Sequence, residues 1–141
     1  MSEAAARRAG LLIGGSVVFV ALLGLGLSRN LGWTESPGEL VLPYRDDYFW
    51  AKHFAFNRLL AVLTLLIGLL AVWGVAAGLS AARRVAMVGS ALLAVAINVD
   101  LSANDQVLGA RGGNITLMLM VLVGLLTLEL TPRDEEREPI P

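Results

Sequence analysis

The sequence predicts an all-α membrane protein, a four-helix bundle of up-down topology with both termini on the same, cytoplasmic side. Three observations carry this expectation. Residues 59–79 hold no charged side chain and are bounded by Arg58 and by Arg83-Arg84, and about 20 apolar residues in a helix cross a hydrocarbon core of roughly 30 Å. Three further apolar runs accompany it, at 10–27, 85–101 and 113–130. The composition agrees: 56% of residues are apolar and only 16% are charged, against roughly a quarter charged in soluble domains, and mean hydropathy is +0.69. A soluble protein burying the 59–79 run would need a large surrounding domain, which 141 residues do not offer.

The same composition excludes chemistry. The absence of cysteine removes disulfides, thiolate metal sites, iron–sulfur clusters and cysteine catalysis. A single histidine cannot supply two axial haem ligands, and no His-x-x-Glu or Glu-x-x-His pattern lies on a span to build a metal site. There is no Gly-rich phosphate loop and no nucleophile motif. We therefore expect no catalytic residue, no metal and no cofactor, and a non-enzymatic chain ahead of a membrane enzyme, which is the third reading. A net charge of −1 argues against nucleic acid as a partner. The expected partners are the bilayer and other membrane protein subunits or further copies of the chain, in the plasma membrane.

In chain order, residues 1–9 form a short N-terminal cytoplasmic segment with Arg7-Arg8, followed by the first span at 10–27. Charged-then-apolar grammar also describes a signal peptide, but no small-x-small cleavage site follows at Leu27-Ser28-Arg29, so an uncleaved helix is expected. Gly10 and Gly14 would let a neighbouring helix approach closely. Residues 28–57 are the outer loop and hold Trp33, Tyr44, Tyr48, Phe49 and Trp50, aromatic residues suited to the headgroup region. Ser36-Pro37-Gly38 and Pro43 break it. Asp46 or Asp47 would then cap a helix running through residues 48–53 directly into the second span, 58–79.

A tight connection at 80–84 makes spans two and three a hairpin. Along the third span, 85–101, Ala86, Ser90, Ala94 and Asn98 recur every fourth residue and share one helix face. With Gly74 and Gly78, the Ala86/Ser90/Ala94 stripe is the expected helix-packing seam, Asn98 bonding across the contact. A polar loop at 102–113 leads to the fourth span, 113–130, and residues 131–141 form a charged, proline-rich tail expected to be disordered. The glycosylation sequon Asn114-Ile115-Thr116 is read as chance, its threonine heading into the bilayer. Glu129 is read as an interface residue. Basic residues divide almost evenly between the two sides, and the pairs Arg7-Arg8 and Arg83-Arg84 place the termini in the cytoplasm.

This layout gathers polar residues at the outer ends of spans two to four: His53, Asn57, Arg58, Asn98, Asp100, Asp105, Arg111 and Asn114. Arg58 could pair with Asp100 or Asp105. Ionisable groups at membrane depth commonly mark a site, but at the edge of a span they equally anchor loops.

The stretches Phe56-Asn57-Arg58-Leu59-Leu60 leading to Ile67-Gly68-Leu69-Leu70, Ala81-Ala82-Arg83-Arg84, and residues 98–105 with Asn98, Asp100 and Asp105 resemble a family of small four-helix membrane proteins of unknown function, common in actinobacteria. The resemblance implies the same architecture and supplies no mechanism. The functional expectation is a structural or accessory component that contacts other membrane proteins or itself. The alternative is a small transporter or ligand-binding membrane protein that uses the outer polar cluster.

Overall fold

The computed structural model describes residues 2–27, 33, 54–105, 107–108 and 110–132. Within them the chain is helical, with four helices and no strand: α1 Glu3–Leu27, α2 Arg58–Ala76, α3 Ser80–Leu101 and α4 Gly112–Leu130. Each is long and apolar enough to cross a membrane.

α1 begins at Glu3 rather than residue 10 because its polar start is itself helix-forming. The Ser2 hydroxyl accepts from the Ala5 amide at 3.2 Å, Glu3 adds an acidic residue to the first turn, and Ala4-Ala5-Ala6 has the highest helix propensity available. At 25 residues it is about 38 Å long, so a helix crossing a core of roughly 30 Å would carry Arg7 and Arg8 beyond it.

α2 does not continue an upstream helix. Residues 54–57 are non-helical, and α2 starts afresh at the N-cap Asn57 (φ −88°, ψ 176°), whose Oδ1 accepts from the Leu60 amide at 2.9 Å. The proposed caps Asp46 and Asp47 and the segment 48–53 lie outside the described residues. α2 closes at Ala76, earlier than the expected residue 79. Gly78 takes φ +69°, while Leu79 N donates to Gly74 O at 2.9 Å and Gly78 N to Val75 O at 3.4 Å. This paired pattern ends helices on a left-handed residue, for which glycine has no Cβ penalty. Gly78 is thus a turn residue with nothing within 4 Å of a would-be Cβ, not part of a packing seam. α3 then starts at Ser80, five residues earlier than expected, because Ser80-Ala81-Ala82 re-enters the helix after a turn of residues 77–79.

Each helix packs on two neighbours: α1 on α2, α2 on α3, α3 on α4, and α4 back on α1, with little diagonal contact. The α1–α2 contact is close because glycines face side chains. A Cβ on Gly14 would lie 2.9 Å from Val72 Cγ2, and one on Gly68 would lie 2.9 Å from Val18 Cγ2. Phe56, Leu60, Ile97, Met118 and Leu125 are fully buried between the helices. Large apolar side chains also cover the outside: Leu12 and Phe19 on α1, Leu66 and Leu69 on α2, Leu92 and Val95 on α3, Leu119 and Val123 on α4.

Ala86, Ser90 and Ala94 are buried, whereas Asn98 is exposed. Four-residue steps advance about 40° each on a helix of 3.6 residues per turn. By the third step the stripe has left the interior, and Ile97 and Asp100 occupy the buried side instead. Asn98 therefore makes no bond across the seam; its carbonyl accepts from the Ser102 hydroxyl at 3.2 Å.

Candidate functional site

The polar residues at the N-terminus of α2, the C-terminus of α3 and the N-terminus of α4 form one hydrogen-bonded clasp. Asn57, fully buried, caps α2 through Oδ1 and donates from Nδ2 to Val107 O at 2.5 Å. Asp100, buried at the end of α3, accepts from Val107 N at 2.7 Å and from Leu108 N at 3.0 Å. Asn114, 2% exposed in the first turn of α4, accepts at Oδ1 from Arg111 N at 2.9 Å and from Ala55 N at 3.2 Å. Three side chains at the ends of three helices thus hold Ala55, Val107, Leu108 and Arg111. The logic is general: a buried backbone amide needs an acceptor, and a loop folded over a helix end finds it in a short polar side chain.

Two accepted amides fix which atom of the Asn114 side chain is oxygen. Its Nδ2 is then buried with no hydrogen-bond partner.

The remaining cluster members lie elsewhere. Arg58 pairs with neither Asp100 nor Asp105; its guanidinium sits 5.7 Å from the centre of the Trp33 ring, within cation–π range, while Leu59 N donates to Trp33 O at 3.2 Å. The Asp100 oxygens are already engaged by loop amides, which removes the reason for Arg58 to seek them. Asn98 and Asp105 are exposed, and Arg111 is partly buried as the N-cap of α4. His53 lies outside the described residues.

A second constellation lies at the opposite end of the bundle. Arg83 Nε donates to Glu129 Oε1 at 2.8 Å, both side chains being mostly buried, and Arg83 Nη1 reaches Gly74 O at 3.4 Å. Arg7 donates to Ala76 O at 2.6 Å. Two arginines from α1 and α3 therefore satisfy the last carbonyls of α2, the negative end of its dipole, and one of them ties in α4. The sequence held a signal for this. Arg83 is four residues into α3 and Glu129 next to last in α4, so a hairpin of these helices brings them level. Among the described residues no group of three or more His, Cys, Asp or Glu could hold a metal ion.

Two apolar grooves lie on the outer surface, one of about 400 Å³ between α1 and α4 beside Ile13 and Gly124, the other of about 340 Å³ between α2 and α3 beside Ile67 and Gly89. Compared with known proteins, the chain matches no family model, no curated protein and no solved structure. The likeness to the small actinobacterial membrane proteins thus has no family match behind it, and the polar clasp and the arginine end remain the features from which function can be argued.

Proposed function

We propose that the chain is a multi-pass protein of the plasma membrane, an up-down bundle with both termini in the cytoplasm, that serves as a structural or accessory component holding other membrane proteins or further copies of itself. The observation that carries the reading is the direction of its side chains. Apolar residues fill the interior and also cover the exterior of all four helices, whereas the buried polar groups of the clasp bind the protein's own backbone. A water-soluble protein rarely exposes contiguous apolar surface on this scale. Hydroxyls along the helices likewise turn inward on their own chain: Ser16 donates to Leu12 O, Ser90 to Met87 O and Thr127 to Val123 O, as lipid surroundings require.

One atom, the unpartnered Nδ2 of Asn114, supports the second reading, a ligand-binding protein that uses the clasp. The experiment is a mild-detergent pull-down of the tagged protein from its native membrane with mass spectrometry. A stoichiometric membrane complex or a homo-oligomer is expected. Recovery as a monomer alone would overturn the accessory reading and shift the weight to the clasp.

A further inference from the structure

We propose that the groove between α2 and α3 holds an acyl chain of an anionic phospholipid whose phosphate is bound by Arg84. This rests on the membrane reading above. The groove is lined by Leu66, Ile67 and Leu70 from α2 and by Val85, Gly89 and Leu92 from α3. It runs from Val85 to Ala96 on α3, about 16 Å at 1.5 Å per residue, close to half of a hydrocarbon core of roughly 30 Å. Its length is that of one leaflet.

Gly89 is one of the residues that line the groove. A Cβ there would meet only Ile67 side-chain atoms at 3.6 and 3.7 Å, ordinary van der Waals contact. Helix packing therefore does not demand glycine at this position, unlike Gly14, Gly68 or Gly74. Glycine presents no side chain here, and in an apolar wall the room it leaves suits methylenes.

Charge identifies the class of lipid. Arg84 is exposed on α3 at the groove's end, next to Val85. Its neighbours Arg7 and Arg83 are committed to α2 carbonyls and Glu129, while Arg84 bonds no described residue. α2 carries no carboxylate, and Asp100 is at the far end of α3. Nothing on these two helices competes with a phosphate there. Trp73, exposed one turn beyond Leu70 on α2, stands at the same level, where indoles anchor to headgroups. An unpaired guanidinium at the open end of a chain-length apolar groove is complementary to a negatively charged phosphodiester bearing an acyl tail.

The test uses the full chain in detergent, titrated with phosphatidylglycerol or phosphatidylcholine of identical chains and with glycerol phosphate, binding being read by native mass spectrometry and thermal shift. Phosphatidylglycerol should bind in preference to phosphatidylcholine, and glycerol phosphate should have no effect. Arg84→Gln should weaken phosphatidylglycerol about fivefold, the share of one arginine near a headgroup, and weaken phosphatidylcholine, whose choline already offsets its phosphate, by less. Gly89→Leu, which fills the groove, should weaken both. Gly89→Ala, whose Cβ fits without a clash, should fold as the wild type and show intermediate binding. Equal binding of the two lipids, an Arg84→Gln variant with the full preference, undiminished binding by Gly89→Leu, or stabilisation by glycerol phosphate alone would each overturn the site. A chain stripped from membranes by alkaline carbonate would instead refute the membrane reading; a retained chain without lipid preference refutes the lipid site alone.

Discussion

Asp100 commits both carboxylate oxygens to its own chain, accepting from the amides of Val107 and Leu108. Replacing it with asparagine sets an NH2 group against one of those donors and removes the charge. A hydrogen bond to a charged group contributes about 1.5–3 kcal/mol, and Asp100→Asn should lower the stability of the detergent-solubilised protein by that order. An unchanged melting temperature would show that the 107–108 segment is not held this way. Asn114→Asp should act in the opposite direction. It keeps an acceptor for Arg111 N and Ala55 N, removes the unpartnered Nδ2 donor and adds negative charge near the positive end of α4. The helix-dipole contribution alone is about 0.3–1 kcal/mol. A raised melting temperature is expected, and a lowered one would show that the cost of burying the carboxylate outweighs these gains. The sequence located these side chains at one end of the bundle from span boundaries. Which amides they meet depends on where Ala55, Val107, Leu108 and Arg111 fall, in segments with no apolar period to read.

At the scale of the helices, glycines separate into those that another element has claimed and those it has not. A Cβ on Gly74 would lie 2.8 Å from both Arg83 N and Arg83 Cγ. Gly74→Ala should therefore push α3 away from α2 and strain the Arg83–Glu129 pair. A Cβ on Gly15 meets nothing within 4 Å, so Gly15→Ala should stabilise α1 by up to about 1 kcal/mol, the propensity difference. Thermal unfolding of both variants in the same detergent compares them directly, and equal effects would remove the distinction. Ser90→Leu or Ala94→Leu should disrupt the bundle, both positions being buried; unchanged assembly on size-exclusion chromatography would sink the seam. Sequence periodicity gave Ala86, Ser90 and Ala94 but carried the stripe on to Asn98, because a fixed step of four ignores the helix's rotation. It also read Gly78 as a packing glycine, since composition cannot tell a left-handed turn residue from a close-approach one.

For the molecule as a whole, orientation is directly measurable because the chain has no cysteine. With single substitutions Ser2→Cys and Asp105→Cys, a membrane-impermeant maleimide on intact cells should label position 105 and reach position 2 only after lysis. The reverse pattern would invert the proposed topology, and labelling of both would refute a common side for the termini. Four apolar runs were legible because a span needs only length and composition. The closing of the bundle was not, since α4 meets α1 although all of residues 28–111 lie between them in the chain. That closure has a consequence during biosynthesis. A ribosome that has released only α1 to α3 leaves Arg83 without Glu129, and leaves Gly10 and Ile13 without their neighbours Leu128 and Gly124. The nascent chain is then an unfinished ring whose last wall must emerge before its first is covered, so a message truncated ahead of Gly112 should yield a product that quality-control proteases remove.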